Sequence, residues 1–408
     1  MRKFFRNQLK GLFIIWLAWS SVITGYEIVK SRLPMEVSIY EDDAVDVLAG
    51  NEHTIDPEVL KLDFAGDISM REVSDNQYDA VCRLFGMIPV KNMEVRVVSK
   101  QEVYPGGIPV GIYIQTKGVF VVGTGDVESM EGKVESPAKD IIKTGDYIVS
   151  IQGQEMNSKQ ELVEFLRGCE GGTLCLNIRR NDEMIGVSVN PVRTENGYSI
   201  GAWVRDDTQG VGTLTYMTED RTFGALGHGI SDADSELLME VSGGRLYACE
   251  ITEIQKGAKG TPGKLAGKIN YNSKNLYGMI TGNLSGGIYG VGNERLLQQV
   301  KEQKCPIALK QEIHEGEAVI LSSVDGTVRE YTIEIRKIYR GETDVNKGLE
   351  FEVTDERLLE MTGGIVQGMS GSPIIQDGKL VGAVTHVLVN DPTRGYGIFI
   401  ENMLDAAG

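Results

Sequence analysis

One serine near the C-terminus stands in a run of residues suited to nucleophilic chemistry. Ser370 lies in Gly368-Met369-Ser370-Gly371-Ser372-Pro373, and the apolar pair Ile374-Ile375 follows it. Glycine readily adopts positive φ, so such a turn can direct the backbone amides of Gly368 and Ser370 at one developing oxyanion. The run predicts a tight turn before a strand, with Ser370 as an acyl-transfer nucleophile and with Gly368 and Ser370 as oxyanion donors. The alternative is a glycine-rich turn that only shapes the chain.

A serine needs a base to act as a nucleophile at neutral pH, and histidine is the usual one. The chain contains four histidines. His228 stands between glycines in the run Phe223-Gly224-Ala225-Leu226-Gly227-His228-Gly229, and we predict that it is the base. His386, at the end of the hairpin that starts from Ser370, is a second candidate base, although a role in the substrate pocket or in the structure is favoured for it.

The third group of such a site orients the imidazole and stabilises its charged form. Asp355, in Val353-Thr354-Asp355-Glu356, is the candidate, and it gives the chain order His, Asp, Ser. Its closeness to Ser370 in the sequence is unlike the chymotrypsin type, which places the acid nearer the histidine. Asp355 could instead cap a short helix that begins at Glu356. Three further carboxylates are rivals for the orienting role: Asp232, Asp234 and Asp325.

The composition excludes several other kinds of function. A formal net charge of -17 argues against nucleic-acid binding, which needs clustered Lys and Arg. The five cysteines form no C-x-x-C pair and predict neither a zinc site nor a disulfide framework. The run 257–265 superficially resembles a phosphate-binding loop, but it is one residue too long, and Leu265 stands where Ser or Thr would hold magnesium. We therefore predict no metal and no cofactor.

Residues 1–26 read as a signal peptide or a membrane anchor. Four basic side chains fall within the first ten residues, and the stretch from Leu12 to Ile23 is mainly apolar. That stretch is short for a comfortable span of about 20 residues, and a buried N-terminal helix is the alternative. Either favoured interpretation places the remaining chain outside the cytoplasm.

Two further regions precede the part of the chain that carries Ser370. Residues 27–100 contain short alternating stretches such as 93–98, which predict a small β-rich region. Residues 101–193 resemble a PDZ domain of the type associated with bacterial proteases, in the run Thr144-Gly145-Asp146-Tyr147-Ile148 and in a helix predicted from Ser158, with Ser158 and Glu161 as a capping box.

PDZ domains bind peptides by adding a strand to a sheet edge beside a helix. The resemblance implies that the peptide site would lie opposite the helix that begins at Ser158, with backbone groups supplied by Gly107, Ile108, Gly111 and Ile112. The alternative is that these glycines only shape turns.

From residue 194 to residue 408, many short strands alternate with glycine-containing turns, and helical patterns are sparse. Hairpins are expected between Ala318 and Ile335 and between Pro373 and Val384. Such a pattern predicts an all-β barrel or sandwich. The G-x-S-G-x-P sequence at Ser370 is that of chymotrypsin-like serine proteases, so we predict a chymotrypsin-like all-β peptidase domain of the double-barrel type over residues 194–408, in a chain that is mainly β.

Runs distributed over the whole chain carry a more specific resemblance: Leu84-Phe85-Gly86-Met87-Ile88-Pro89-Val90-Lys91, Gly224-Ala225-Leu226-Gly227-His228-Gly229, Val353-Thr354-Asp355, Thr362-Gly363-Gly364-Ile365-Val366-Gln367-Gly368-Met369-Ser370-Gly371-Ser372-Pro373, Val384-Thr385-His386 and Asn390-Asp391-Pro392-Thr393-Arg394-Gly395-Tyr396-Gly397. With these runs the chain closely resembles the SpoIVB peptidase family, the PDZ-containing serine proteases of endospore-forming bacteria. The resemblance implies that His228, Asp355 and Ser370 are the catalytic residues.

The resemblance also implies a role in sporulation signalling. Such an enzyme is exported from the forespore into the space between the forespore and mother-cell membranes, where it cleaves itself. It then cuts the extracytoplasmic part of a membrane-bound inhibitor of an intramembrane protease, and so triggers processing of the pro-sigma-K factor. Its PDZ domain would recognise a second copy of the enzyme and the substrate.

Two other functions fit the sequence less well. A quality-control protease of the PDZ-bearing periplasmic type would cut unfolded proteins broadly. A peptide-binding scaffold with an inactive protease-like domain would not cut at all, although all three catalytic residue types are present in suitable runs.

Overall fold

Most of the regular structure in the computed structural model is β-strand, which confirms the mainly-β prediction. The structure describes residues 2–48, 53–55, 60–62, 64–74, 76–300, 303–341 and 344–407. The chain divides into two units. The first contains Met1–Gln101, Pro306–His314 and Ile338–Thr343. The second contains Glu102–Cys305, Glu315–Lys337 and Asp344–Gly408.

The first unit has an N-terminal helix and, in its described part, a five-stranded sheet. Its elements are α1 Arg2–Arg32, β1 Glu36–Tyr40, α2 Glu41–Leu48, β2 His53–Ile55, β3 Gly66–Ser74, β4 Gln77–Leu84 and β5 Ile88–Val98. The strand order is β1-β5-β4-β3-β2, and β1 runs parallel to β5. Ile68, Ala80 and Val95 are fully buried in its core. The sheet lies in the region predicted to be β-rich.

Helix α1 covers the predicted signal or anchor segment and continues to Arg32. Among the helices that the structure describes, none is both long and apolar enough to span a membrane. The signal or anchor assignment therefore stays a prediction.

The second unit begins with a barrel and a subdomain inserted into it. The elements, in chain order, are β6 Glu102–Pro105, β7 Pro109–Thr124, β8 Val127–Glu128, β9 Val134–Glu135, β10 Tyr147–Ile151, β11 Gln154–Glu155, α3 Lys159–Gly168, β12 Leu174–Arg180, β13 Glu183–Val189, β14 Val192–Thr194, β15 Gly197–Ser199, β16 Ala202–Met217, β17 Thr222–Ala225, β18 Val241–Gln255, β19 Lys264–Ile269, β20 Leu276–Leu284, β21 Gly287–Gly292, α4 Glu294–Val300 and β22 Cys305–Pro306.

Antiparallel pairing closes six of these strands into a ring, the first barrel. Strand β7 pairs with β18, β18 with β20, β20 with β21, β21 with β17, β17 with β16, and β16 again with β7. Ile114, Leu214 and Ile288 are fully buried inside it.

Two long strands, β7 and β16, extend beyond the first barrel. Their extensions and the chain between them, residues 119–206, form the inserted subdomain. Residues 109–116 of β7 pair with β16 and β18 in the barrel, whereas residues 119–124 pair with β16 and β10. The subdomain has its own core, which includes Val119, Ile148 and Leu162. Ser158 caps α3 as predicted, because its side chain accepts a hydrogen bond from the Glu161 amide.

The predicted boundary between the PDZ domain and the peptidase domain, at residues 193 and 194, therefore does not coincide with a boundary between the inserted subdomain and the barrel. The first barrel strand, 109–116, lies in the segment assigned to the PDZ domain, and the inserted subdomain interrupts the barrel. The sequence contains no linker between the barrel and the inserted subdomain, because β7 and β16 each continue from one into the other. The visible markers are Gly118, at φ +95°, and a register shift between Arg205 and Asp207.

A second closed barrel forms the C-terminal part. Its elements are β23 Gly316–Ser322, β24 Arg329–Ile338, β25 Leu349–Val353, α5 Glu356–Thr362, β26 Pro373–Gln376, β27 Lys379–Leu388, β28 Asp391–Phe399 and α6 Ile400–Ala407. The strand order around the barrel is β23-β24-β25-β28-β27-β26. The predicted hairpins are present as β23–β24 and β26–β27. Two barrels agree with the expected double-barrel architecture.

Candidate active site

One pocket of about 470 Å³ brings residues of both barrels together. His228 follows β17 of the first barrel, and Ser370 precedes β26 of the second. Both line this pocket, which we call the serine pocket. The structure thus places the predicted base and the predicted nucleophile at one site.

The turn around Ser370 leaves two backbone amides available. Gly368 and Gly371 have φ values of +101° and +93°. The Met369 amide donates to Val366, and the Gly371 amide donates to the Val384 carbonyl at 2.7 Å. In the part of the chain that the structure describes, the amides of Gly368 and Ser370 donate no hydrogen bond. They are therefore free to bind an oxyanion, as the turn sequence predicts.

Strand β16 of the first barrel holds this turn in place. Thr213 donates from its amide to the Ser370 carbonyl at 3.0 Å and from its hydroxyl to the Gly368 carbonyl at 2.8 Å. The Thr215 hydroxyl donates to the Gly371 carbonyl at 2.9 Å. A Cβ atom on Gly371 would lie 2.1 Å from the Thr213 carbonyl oxygen, so only glycine fits there.

The phosphate-loop-like run lies on the other side of the same turn. Residue Leu265 donates from its amide to the Gln367 carbonyl at 2.8 Å, and the Gln367 amide donates to the Gly263 carbonyl at 2.9 Å. A Cβ on Gly263 would lie 2.6 Å from a methyl group of Val366. The glycines of this run therefore allow a close approach of two backbones, which fixes the segment before Ser370.

The predicted nucleophile and the predicted base are each hydrogen-bonded to a backbone carbonyl rather than to each other. The Ser370 hydroxyl donates to the Thr385 carbonyl at 2.8 Å. His228 Nδ1 lies 2.8 Å from the Gly229 carbonyl oxygen. A carbonyl only accepts, so Nδ1 carries the proton and Nε2 keeps its lone pair, which is the tautomer that a general base needs.

Burial keeps His228 in the neutral form that can accept a proton. Burial lowers the pKa of His228, and the hydrogen bond to Gly229 acts in the opposite direction. His386 also lines the serine pocket, with its ring centroid 4.9 Å from that of His228. Desolvation at the pocket wall, followed by repulsion from His228, lowers the pKa of His386, although its side chain remains exposed to solvent.

A buried amide fixes the segment that follows His228. Asn283 of β20 accepts from the Ile230 amide and donates to the Ile230 and Met239 carbonyls, each at 2.8 Å. These bonds tie the loop after His228 to the barrel wall. A sequence gives no sign of this contact, because Asn283 and Ile230 meet only through the barrel.

Asp355 lies outside the serine pocket and performs a different task in this structure. It is the N-cap of α5, and its side chain accepts from the amides of Arg357 and Leu358. The Arg357 guanidinium, 2.7 Å away, is the main cause of a lowered pKa of Asp355. Among the described residues Asp355 makes no hydrogen bond to His228. The structure corrects the expected orienting contact, because the helix cap uses the carboxylate.

The rival carboxylates are also engaged elsewhere. Arg205 pairs with both Asp232 and Asp234, and Arg329 pairs with Asp325. Among the described residues, the hydrogen-bond partner of the His228 ring is thus the Gly229 carbonyl rather than a carboxylate.

A family model for SpoIVB peptidase S55 matches residues 196–404, just over half of the chain, and this range includes Ser370, His228 and His386 of the serine pocket. The chain belongs to the SpoIVB peptidase family. It is therefore a serine peptidase of the sporulation type.

Two solved structures are also similar to parts of this SpoIVB-family peptidase. The Rv3671c protease in its inactive form is 12% identical, with a TM-score of 0.28, over 48% of this chain and 84% of that chain. The PDZ domain of the SdrC-like protein from Listeria monocytogenes is 21% identical, with a TM-score of 0.18, over 22% of this chain and 90% of that chain. No curated protein sequence matches the chain.

The four residues expected to bind a peptide in the PDZ domain lie in and beside the first barrel of the peptidase. Gly111 and Ile112 pair with β16 on one side and with β18 on the other. The Gly107 amide donates to Leu214, and the Ile108 carbonyl accepts from Leu214. The structure corrects this expectation, because a strand paired on both edges cannot accept a peptide strand.

The two possible roles of Asp355 can be separated with a pair of variants. Asparagine is as good an N-cap as aspartate, so we expect Asp355→Asn to keep α5 and most of the peptidase activity. Asp355→Ala should lower the free energy of unfolding by about 1 kcal/mol. Urea unfolding and kcat/KM for a peptide substrate measure both effects. A loss of activity on the order of 10⁴-fold in Asp355→Asn, as is typical for an orienting acid, would contradict the capping role.

The pH dependence of kcat/KM tests the state of His228. Its acid limb reports the pKa of the free enzyme's base. Because burial lowers that pKa, we expect activity to persist as the pH falls through 6.5, the ordinary value, and to be lost only at lower pH. Stability should fall as the pH drops below 6.5, since the unfolded chain binds protons there that the His228 imidazole in the folded protein refuses. An acid limb at or above pH 6.5 would contradict the lowered pKa of His228 and would indicate a carboxylate partner for its ring in the free enzyme.

Proposed function

We propose that this peptidase is a signalling endopeptidase of sporulation. It cleaves itself and then cuts the extracytoplasmic part of a membrane-bound inhibitor of an intramembrane protease, which triggers pro-sigma-K processing. Its place of action is the space between the forespore and mother-cell membranes, to which residues 1–26 direct it. The membership of the SpoIVB family, together with Ser370 and His228 in one pocket, carries the proposal.

The chemistry begins with rotation of the Ser370 hydroxyl from the Thr385 carbonyl towards His228 Nε2. His228 takes the proton as Ser370 attacks the peptide carbonyl, and it returns the proton to the leaving amine. The amides of Gly368 and Ser370 stabilise the oxyanion, and the loss of one such donor typically costs about 10²- to 10³-fold in rate. A nucleophile bonded to Thr385 in the resting state suits an enzyme that is active only on selected substrates.

The inserted subdomain acts in this proposal as the PDZ-type recognition element. The support comes from β16, whose residues 202–205 pair with β7 on one edge. Among the described residues no strand pairs with the other edge, and helix α3 packs beside it. A peptide from a second copy or from the substrate adds to this edge, in place of the barrel strand 109–116.

Self-cleavage of the full-length chain tests the proposal. Wild type, Ser370→Ala and His228→Ala are incubated, and fragments are followed by intact mass after each variant is shown to be folded. Ser372→Ala is the matched control, because the buried Ser372 hydroxyl has no hydrogen-bond partner among the described residues. We expect fragments from wild type and Ser372→Ala, and none from the other two.

Cleavage of unfolded casein distinguishes a signalling endopeptidase from a quality-control protease. A signalling enzyme should leave casein largely intact while it cleaves itself at few sites. Fragmentation that is equal in wild type and Ser370→Ala, or rapid cutting of casein at many sites, would contradict the proposal.

A further inference from the structure

The serine pocket opens into a groove that continues along the first barrel. It shares Gln209, Val211 and Gly368 with a neighbouring pocket of about 490 Å³. That pocket shares Gln209 and Tyr271 with a third pocket of about 260 Å³. A peptide bound at Ser370 therefore has a continuous path past the oxyanion donor Gly368 to this third pocket.

Three tyrosine rings form the walls of the third pocket. Tyr271 lies edge-on to Tyr247, with ring centroids 5.2 Å apart and planes at 85°. It lies 6.1 Å from Tyr113, with planes at 68°. Tyr113 and Tyr247 stand on barrel strands β7 and β18, and the Tyr271 hydroxyl donates to the Gln209 side chain. The pocket is thus a preformed part of the barrel surface.

An unpaired cation completes the pocket. Arg245 lines it, stands opposite Tyr113 across the β7–β18 ladder, and shares a strand face with Tyr247. Its exposed side chain forms no ion pair or hydrogen bond with any residue that the structure describes. The carboxylate of Asp207 accepts instead from the Tyr113 hydroxyl at 3.0 Å. In a chain with a net charge of -17, an arginine without an acid partner at the end of a substrate groove is available to a carboxylate from outside.

We propose that Arg245 and the three tyrosines form a specificity subsite that binds an acidic side chain of the peptide substrate, on the Gly368 side of the scissile bond. The tyrosine rings pack against the methylene groups of that side chain, and the guanidinium binds its carboxylate. This inference rests on the proposed endopeptidase function. It adds the chemical class of residue that the enzyme selects.

A peptide series tests the subsite. The probe is a labelled peptide that spans the self-cleavage site mapped by mass spectrometry, with Glu, Gln or Lys placed in turn at each of four positions on either side of the cut. The full-length enzyme is compared with Arg245→Gln and Arg245→Glu. Arg193→Gln is the matched control, because Arg193 is an exposed arginine of the inserted subdomain, away from the groove.

We expect one position on a single side of the cut at which wild type and Arg193→Gln prefer Glu to Gln by about tenfold in kcat/KM, the effect of one charge-assisted hydrogen bond. Arg245→Gln should remove this preference by lowering kcat/KM for the Glu peptide towards that for the Gln peptide, and Arg245→Glu should prefer Lys. A preference that survives Arg245→Gln, no preference at any position, or a preference for Lys in wild type overturns the subsite. A preference for Lys in wild type would mean that the tyrosines and Asp207 bind a cationic side chain instead.

Binding to the inactive Ser370→Ala enzyme keeps the test independent of turnover. Fluorescence anisotropy should give a Kd about tenfold lower for the Glu peptide than for the Gln peptide, and Arg245→Gln in the same background should equalise them. Equal affinities before that substitution overturn the subsite. If wild type cuts nothing and no site can be mapped, the binding comparison uses a labelled alanine-based peptide with Glu or Gln at its centre. A lower Kd for the Glu form that Arg245→Gln abolishes would then leave the acid-binding site standing while the endopeptidase proposal fails.

Discussion

The candidate active site depends on one residue of the first barrel, which is hydrogen-bonded to the segments that carry Ser370 and His228. Thr213 of β16 donates its amide to the Ser370 carbonyl and its hydroxyl to the Gly368 carbonyl. Its own carbonyl accepts from the amide of Leu226, two residues before His228. The distance between nucleophile and base is therefore set across the two barrels by the backbone of a buried strand. The same attachment brings the Thr213 carbonyl oxygen so close to Gly371 that no side chain fits at that position.

In the resting geometry the groups needed for catalysis are close together, but the Ser370 hydroxyl is not hydrogen-bonded to His228. The Ser370 hydroxyl is bonded to the Thr385 carbonyl, and His228 is oriented by the Gly229 carbonyl. Burial favours a neutral imidazole, which is the form that accepts a proton. A carbonyl holds that tautomer but offers the charged form less stabilisation than a carboxylate would. In the proposed mechanism, catalysis therefore relies more on the oxyanion amides, and substrate binding has to turn the Ser370 hydroxyl towards His228.

The sequence was sufficient for the features that depend on local pattern, and it failed where distant strands decide the outcome. The glycine turn at Ser370, the many short strands and the cap at Ser158 follow from short runs of residues. The double barrel was expected from the resemblance of the Ser370 turn to that of chymotrypsin-like proteases, since strand pattern alone left a barrel or a sandwich open. The orienting role of Asp355 could not be decided, because an N-cap and a catalytic carboxylate look alike in a sequence. Nothing local marks Arg245 either, since it meets the tyrosines only through the register of the barrel strands.

The most direct test of this account is covalent labelling with diisopropyl fluorophosphate, followed by intact mass and peptide mapping. The reagent reacts with a serine only where a base and oxyanion donors activate it. We expect one adduct, on Ser370, formed at least about 100-fold more slowly in a folded His228→Ala variant. Labelling should follow the neutral form of His228 as the pH is varied. An adduct on another residue, or labelling of Ser370 that is indifferent to His228, would contradict the central claim.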